Sequence, residues 1–188
     1  MKKVNLIAFA LLVSVSTFAQ KWSLDKAHSQ LGFTVTHLLI SEVDGNIKNF
    51  DASITSTKPN FSDAVVELTG DLKSINTNME MRDGHLQGEQ WFNTEKFPSL
   101  FFKSTGIKAN GANKYKLKGN LTIKGVTKPV TLDFVYKGSK KDERSGKMIA
   151  GFKVTGKVNR VAFGVGAAGG ASVSEEIELR AGGEFMAN

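Results

Sequence analysis

The chain alternates hydrophobic and polar residues with a period of two over most of its length. This period is typical of antiparallel strands that turn one face to a core and the other to water. The alternation and two less regular stretches predict eight strands, at 28–38, 45–56, 64–74, 99–108, 114–124, 129–138, 148–159 and 173–185. The segment at about 78–90 has helical spacing instead, and we expect it to cover one end of the sheet. The predicted fold class is all-β.

The inward faces of these strands determine what the interior can hold. An antiparallel array of eight strands with open edges would pair with other chains, so we expect a closed barrel or a two-sheet sandwich. An eight-stranded barrel is just wide enough to be filled by side chains or to hold one small ligand. Because large residues such as Phe134 share the inward faces with Gly119, the pattern leaves both interiors open. The inward positions predict an apolar lining made of Phe33, Val35, Leu68, Leu72, Phe102, Leu117, Leu121, Leu132, Phe134, Phe152, Val154 and Leu179.

The N-terminus has the features of a secretory signal peptide. Lys2 and Lys3 precede a nearly continuous apolar run without charge at 4–15, and Ala19 offers the small residue that a signal peptidase requires. The run is shorter than the roughly 20 residues that span a bilayer. We therefore expect cleavage after Ala19, one domain at 20–188, and a periplasmic or secreted location.

Composition excludes several function classes. The sequence has no cysteine, so neither disulfides nor thiolate chemistry are available and a hydrophobic core must supply the stability. The formal net charge is +7, but the basic residues are scattered among acidic ones. This distribution argues against nucleic-acid binding and is compatible with a transient attraction to membrane surfaces.

Catalytic and metal-binding motifs are missing from the sequence. There is no Gly-x-Ser-x-Gly elbow and no cysteine nucleophile. The three histidines, His28, His37 and His85, contain no compact His-x-x-x-His pair. We therefore predict that the chain is not an enzyme and has neither a metal site nor a cofactor, and that His28 has a structural role.

Three polar residues are candidates for contact with the polar head of a ligand. His37 shares the inward parity of its strand and either donates to a ligand or bonds to the backbone as a core histidine. The fork of Arg160 suits phosphate oxygens, with a surface salt bridge as the alternative. His85 lies beside Asp83 on the helical segment, where Asp83 either anchors the segment or helps His85 to form a polar gate.

Several motifs occur in a characteristic order along the chain. The opening is Trp22-x-Leu24-Asp25-x-x-His28-Ser29, and Asp83-x-His85-Leu86 and Trp91-Phe92-Asn93 follow. The hairpin Leu121-Thr122-Ile123-Lys124-Gly125-Val126-Thr127 comes next, and Asn159-Arg160-x-x-Phe163-Gly164 closes the series. This order resembles that of the YceI-like family. The chain departs from the family's pattern at Ala162, where an acidic residue, a partner for Arg160, is expected.

The resemblance implies an eight-stranded, lipocalin-like barrel without established enzymatic activity. It also implies a long-chain apolar ligand, namely a polyisoprenoid or fatty lipid, with a quinone or an amide as further options. Such a protein would enclose the lipid outside the cytoplasm for transport, storage or sequestration. Two alternatives stay open: a packed stress-response or interaction module without ligand, and an enzyme that acts on a lipid or quinone. A homodimer also stays open, because no apolar outer stripe decides the oligomeric state.

Overall fold

The computed structural model describes residues 19–169 and 172–188. Within these ranges nearly every segment is a strand, as the sequence pattern predicts. The strands are β1 (Gln20–His37), β2 (Ser41–Ile47), β3 (Phe50–Ser56), β4 (Val65–Asp71), β5 (Ile75–Asn76), β6 (Ser99–Ala109), β7 (Lys114–Ile123), β8 (Val126–Lys141), β9 (Met148–Asn159) and β10 (Val173–Ala187). One α-helix, α1 (Glu80–Gln87), and two 3-10 turns, Leu72–Ser74 and Val161–Phe163, complete the described structure.

Antiparallel pairing closes the sheet into a barrel. The ring runs β1–β3–β4–β6–β7–β8–β9–β10, and β10 pairs with β1 to complete it. β2 continues the line of β3 beyond a bend at 48–49, and β5 continues that of β4 beyond the Leu72–Ser74 turn. The predicted eight-stranded antiparallel barrel is therefore confirmed, with the predicted strand at 45–56 divided into two segments.

β1 is longer than predicted and pairs with three other strands. It begins at Gln20 rather than at residue 28, and its first residues pair with β3 while its last pair with β2. Along its length it also pairs with β10, with a register break between Leu24 and Ser29. Four residues of β1 oppose Glu184 alone at this break, which makes it a large, special bulge. The bulge interrupts the alternation, and the sequence pattern therefore locates only the second part of the strand.

The predicted helical segment is confirmed in a shorter form, α1. The side chain of Asp83 is buried, and it accepts hydrogen bonds from the backbone N–H of Thr77 at 2.8 Å and from the Thr77 hydroxyl at 2.6 Å. Arg82 Nε donates to the same hydroxyl at 2.7 Å. These bonds tie α1 to the end of β5, as expected for an anchor. None of the described segments is a helix with the length and hydrophobicity needed to cross a membrane.

One half of the barrel interior is filled by aromatic side chains. Phe61 lies 4.8 Å from both Tyr136 and Phe152, measured between ring centres, and 5.3 Å from Trp22. Phe152 also contacts Phe134 at 5.3 Å. Such edge-to-face and tilted contacts add about 0.5–1.5 kcal/mol per pair beyond burial. This half of the interior is a solid core.

The inward glycines make space for large neighbours in this core. A Cβ on Gly119 would lie 2.4 Å from Phe102 Cζ, and a Cβ on Gly156 would lie 2.4 Å from Leu132 Cδ2. Each glycine therefore acts as a notch into which a side chain from the adjacent strand packs. The sequence pattern leaves open whether the barrel is filled or hollow. In the structure one half is filled, and the two glycines belong to that half. The expected signal peptide lies outside the described residues, apart from Ala19.

Candidate functional site

The other half of the interior contains a cavity of about 280 Å³. Its wall is formed by the second part of β1, the start of β10, β2, and the segments that cover this end of the barrel. The lining is mostly aliphatic and aromatic, with few polar groups. The lining residues are Leu31, Gly32, Phe33, Val35, His37, Val43, Ile47, Leu72, Thr77, Arg82, His85, Leu86, Trp91, Phe92, Leu100, Ile123, Val158, Arg160, Val165, Val173, Ile177 and Leu179.

Seven of the residues predicted from the sequence meet at this cavity. They comprise four apolar residues and the three polar candidates: Phe33, Val35, Leu72, Leu179, His37, His85 and Arg160. The remaining predicted lining residues do not reach the cavity, because they belong to the filled half or pack against it. These are Leu68, Phe102, Leu117, Leu121, Leu132, Phe134, Phe152 and Val154. Strand parity identifies the inward face of a strand but not the position of a residue along the barrel axis. It therefore cannot separate residues that line the cavity from residues in the filled half.

Twelve apolar lining residues are absent from the predicted set. They are Leu31, Val43, Ile47, Leu86, Trp91, Phe92, Leu100, Ile123, Val158, Val165, Val173 and Ile177. Leu31 and Ile177 share the parity of predicted neighbours, so the pattern contained a signal for them. The pair Trp91 and Phe92 follows α1 in a loop, where strand periodicity carries no information.

The cavity volume limits what fits inside. A water molecule occupies about 30 Å³ in the liquid, so 280 Å³ corresponds to about nine groups of that size. A methylene group is of similar size. The cavity is therefore large enough for a chain of about ten carbons or a small ring.

Arg160 lines the cavity and is almost fully buried, at 5% exposure. Its guanidinium donates to the carbonyl oxygens of Val165 at 2.7 Å, Ala167 at 3.1 Å and Val173 at 3.0 Å, and Nε donates to Ser174 O at 3.0 Å. Within residues 19–169 and 172–188, no carboxylate lies within 4.0 Å of it. Arg160 thus joins the loop after the Val161–Phe163 turn to the start of β10.

The surroundings of Arg160 also affect its charge. Its guanidinium carbon lies 5.3 Å from the ring centre of Trp91, which also lines the cavity. Burial lowers the pKa of Arg160 below its ordinary value, and the nearby Glu175 partly opposes that effect. The side chain is nevertheless charged at neutral pH, because the ordinary value lies so high. The cavity therefore has one buried positive wall beside an aromatic face.

Comparison with known proteins gives the family. The model of the YceI-like domain matches residues 22–185, nearly the whole described chain. The chain belongs to the YceI-like family. The UPF0312 protein plu2095 of Photorhabdus laumondii is 39% identical over 158 residues, which cover 82% of this chain and 81% of that protein.

Solved structures share the barrel of this YceI-like domain. The YceI protein of Campylobacter jejuni is similar with a TM-score of 0.73 and 34% identity, over 87% of this chain and 95% of that chain. A polyisoprenoid binding domain from Saccharophagus degradans has a TM-score of 0.65 at 14% identity, over 89% and 98% of the two chains. The second likeness concerns the fold alone.

One group of side chains in the YceI-like domain has metal-ligating atoms close together. Among the described residues, Asp25, His28 and Glu184 place one such atom each within 4.8 Å of one another, at the bulge of β1. Asp25 accepts from the backbone N–H of Ala27 at 2.9 Å, and its other oxygen lies 2.8 Å from His28 Nδ1. These contacts hold the bulge of β1 together.

This pair gives the YceI-like domain a pH dependence of stability. Asp25 raises the pKa of His28 above 6.5, mainly through their hydrogen bond, and His28 lowers the pKa of Asp25 below 3.8. The stabilisation by His28 is complete below pH 6.5 and is lost as the pH rises through its raised pKa, while that by Asp25 is lost as the pH falls through its lowered pKa. We expect His28→Gln to flatten the decrease in unfolding free energy between pH 6 and pH 8.

Chemical denaturation at several pH values measures this effect. The matched control is His85→Gln, which changes an exposed histidine at the other side of the fold. A decrease of the same steepness in wild type and His28→Gln would contradict the prediction. Because the His28 side chain is 65% exposed, the effect should shrink in high salt.

Proposed function

We propose that this YceI-like domain is a lipid carrier that binds the apolar chain of a prenyl or fatty lipid in the cavity beneath α1. The observation that carries the proposal is the apolar cavity of about 280 Å³, in a barrel whose other half is solid. In a barrel that serves only as a packed interaction module, we would expect side chains to fill this cavity. The similarity in fold to a polyisoprenoid binding domain supports the same function.

The size of the cavity indicates how much of the lipid lies inside it. About ten carbons lie inside, and the rest of a longer prenyl or fatty chain leaves through the mouth beside α1. A polar end group, such as a phosphate, an amide or a quinone ring, meets Arg82, His85 and His37 at the wall. Arg160 already donates to four carbonyl oxygens, so its N–H groups are occupied. Its contribution to this wall is therefore its positive charge.

The place and purpose of binding belong to the same proposal. We infer that a signal peptide at 1–19 directs the chain to the periplasm or outside the cell, where free lipid chains need a carrier. The domain there transports, stores or sequesters the lipid and does not transform it. The prediction that it has no enzymatic activity rests on the missing nucleophile motifs in the sequence.

Burial energies predict how affinity depends on chain length. Each buried methylene contributes about 0.8 kcal/mol, which is roughly a fourfold change in the dissociation constant. We expect a series of fatty acids to bind with dissociation constants that fall about fourfold per added carbon until about ten carbons are buried. Beyond that length the affinity should level off. Displacement of a fluorescent fatty acid measures the series.

A matched pair of variants tests whether this cavity is the site. Val35 lines the cavity, while Val65 is 45% exposed on the outside of β4. We expect Val35→Trp to fill the cavity and to weaken fatty-acid binding at least tenfold, and Val65→Trp to leave it unchanged. Wild-type affinity in Val35→Trp would overturn the proposed site. Native mass spectrometry that finds no bound lipid, even after incubation with prenyl and fatty lipids, would overturn the function.

A further inference from the structure

The turn between β1 and β2 exposes three large aliphatic residues in succession. Leu38 is 52% exposed, Leu39 75% and Ile40 85%. We name Leu38–Ile40 the apolar tip. Single exposed hydrophobic residues are common on protein surfaces, but a contiguous group at the end of a hairpin is a mark of an interaction site. Nothing in the barrel fold requires aliphatic residues at this place.

The backbone conformation of the apolar tip is one that leucine rarely adopts. Leu38 and Leu39 have φ values of 50° and 63°, in the left-handed region. Successive turn positions with positive φ strongly favour Asn and Gly, because bulky side chains are strained there. Hydrogen bonds from Ile40 N to His37 O at 3.2 Å and from Leu38 N to Ser172 O at 3.0 Å hold the turn in place. The tip is therefore a fixed projection that does not fold back onto the barrel.

The apolar tip is located at the mouth of the cavity. His37 precedes it and Val43 follows it closely, and both line the cavity. Val173, next to the Ser172 carbonyl that holds the tip, lines the cavity as well. Met79 and Met81, 49% and 68% exposed, flank the start of α1, whose His85 belongs to the same wall. The apolar tip therefore lies beside residues that line the cavity.

We propose that the apolar tip inserts into the surface of a lipid bilayer and brings the cavity mouth against it. An apolar chain could then move between bilayer and cavity without exposing its methylene groups to water, which is unfavourable. The partner is a lipid surface because the tip is a narrow projection that continues the wall of an apolar cavity. This purpose rests on the proposed function, while the insertion itself can be measured independently.

The charges near the tip define the kind of surface. Between Thr36 and Val43 the sequence has no lysine or arginine, and Glu42 is its only acidic residue. Insertion therefore depends on apolar burial and not on attraction to anionic headgroups. We expect binding to neutral phosphatidylcholine vesicles that changes little between low and high salt.

A fold-preserving variant of the tip provides the test. The double change Leu38→Asn with Leu39→Gly installs the sequence that this turn geometry favours, so the barrel should keep its melting temperature or gain stability. We expect this variant to lose at least tenfold in co-sedimentation with phosphatidylcholine vesicles. The control is Met148→Asn, which removes an exposed apolar residue at the start of β9, at the opposite end from Val158 and the cavity.

The possible outcomes distinguish failure of the proposed membrane insertion from failure of the proposed carrier function. Wild-type protein that stays in solution with vesicles, or a double variant that sediments equally well, would overturn the insertion. Loss of self-association in the double variant, without any vesicle binding by the wild type, would also overturn it and assign the tip to a protein contact. Vesicle binding that depends on the tip, in a protein that takes up no lipid, would support the insertion and contradict the carrier function alone.

Discussion

Replacing Phe102 by alanine is expected to lower the free energy of unfolding by about 3–5 kcal/mol, the range for a buried aromatic residue. Phe102 is 7% exposed and its ring occupies the notch of Gly119 on the adjacent strand. Alanine would leave that notch empty in the solid half of the barrel. Denaturation with urea, monitored by tryptophan fluorescence, gives the change in unfolding free energy.

The neighbouring residue supplies the control for this prediction. Phe101 lies on the outer face of the same strand and is 50% exposed. We expect Phe101→Ala to change the unfolding free energy by less than about 1 kcal/mol, as surface substitutions usually do. Equal effects of the two changes would mean that the interior at Phe102 is not packed as described.

Arg160→Met should lower the unfolding free energy by about 2–4 kcal/mol, because hydrogen bonds to a charged group contribute more than neutral ones. The change would leave carbonyl oxygens of Val165, Ala167 and Val173 without their donor. Arg160→Lys should recover little of the loss, since an ammonium group cannot reach the same acceptors with a planar fork. We also expect faster amide hydrogen exchange in residues 164–169, measured by mass spectrometry.

Arg180→Met is the matched change at the surface. Arg180 forms an ion pair with Asp44 at 2.5 Å, and its side chain is 48% exposed. Exposed ion pairs contribute about 0–1 kcal/mol, so the effect should be small. If Arg160→Met were equally mild, the bonds to the loop carbonyls would not hold this end of the barrel together.

Sequence periodicity predicts the fold well because strand alternation is local information. The strands of the barrel follow from it: β7 alternates without interruption over its length, and β9 does so from Phe152 to Asn159. The early part of β1 was missed because the bulge at Asp25–His28 breaks the alternation. Pairing with the distant Glu184 region decides that geometry, and no local pattern reports it.

The site was less accessible to prediction than the fold. Phe33 and Phe134 have the same inward parity, yet Phe33 borders the cavity while Phe134 is fully buried and packs against Tyr115 and Phe152. The difference depends on height along the barrel, which is set by strand stagger and by which end α1 covers. Arg160 shows the same limit: the sequence suggested an anionic partner or a salt bridge, whereas its donors meet carbonyl oxygens of a loop that returns to it.

The pairing of β1 with β10 determines when the molecule can acquire its native shape. Trp22 lies opposite Ala187, so the first strand of the barrel completes its pairing only with the last. Contacts between residues this far apart in sequence form slowly, because a long loop must close before they stabilise anything. A ribosome-bound chain that still lacks β10 would have two open sheet edges. The barrel is therefore expected to close only after β10 has been synthesised, and deletion of β10 should expose both edges to association with other chains.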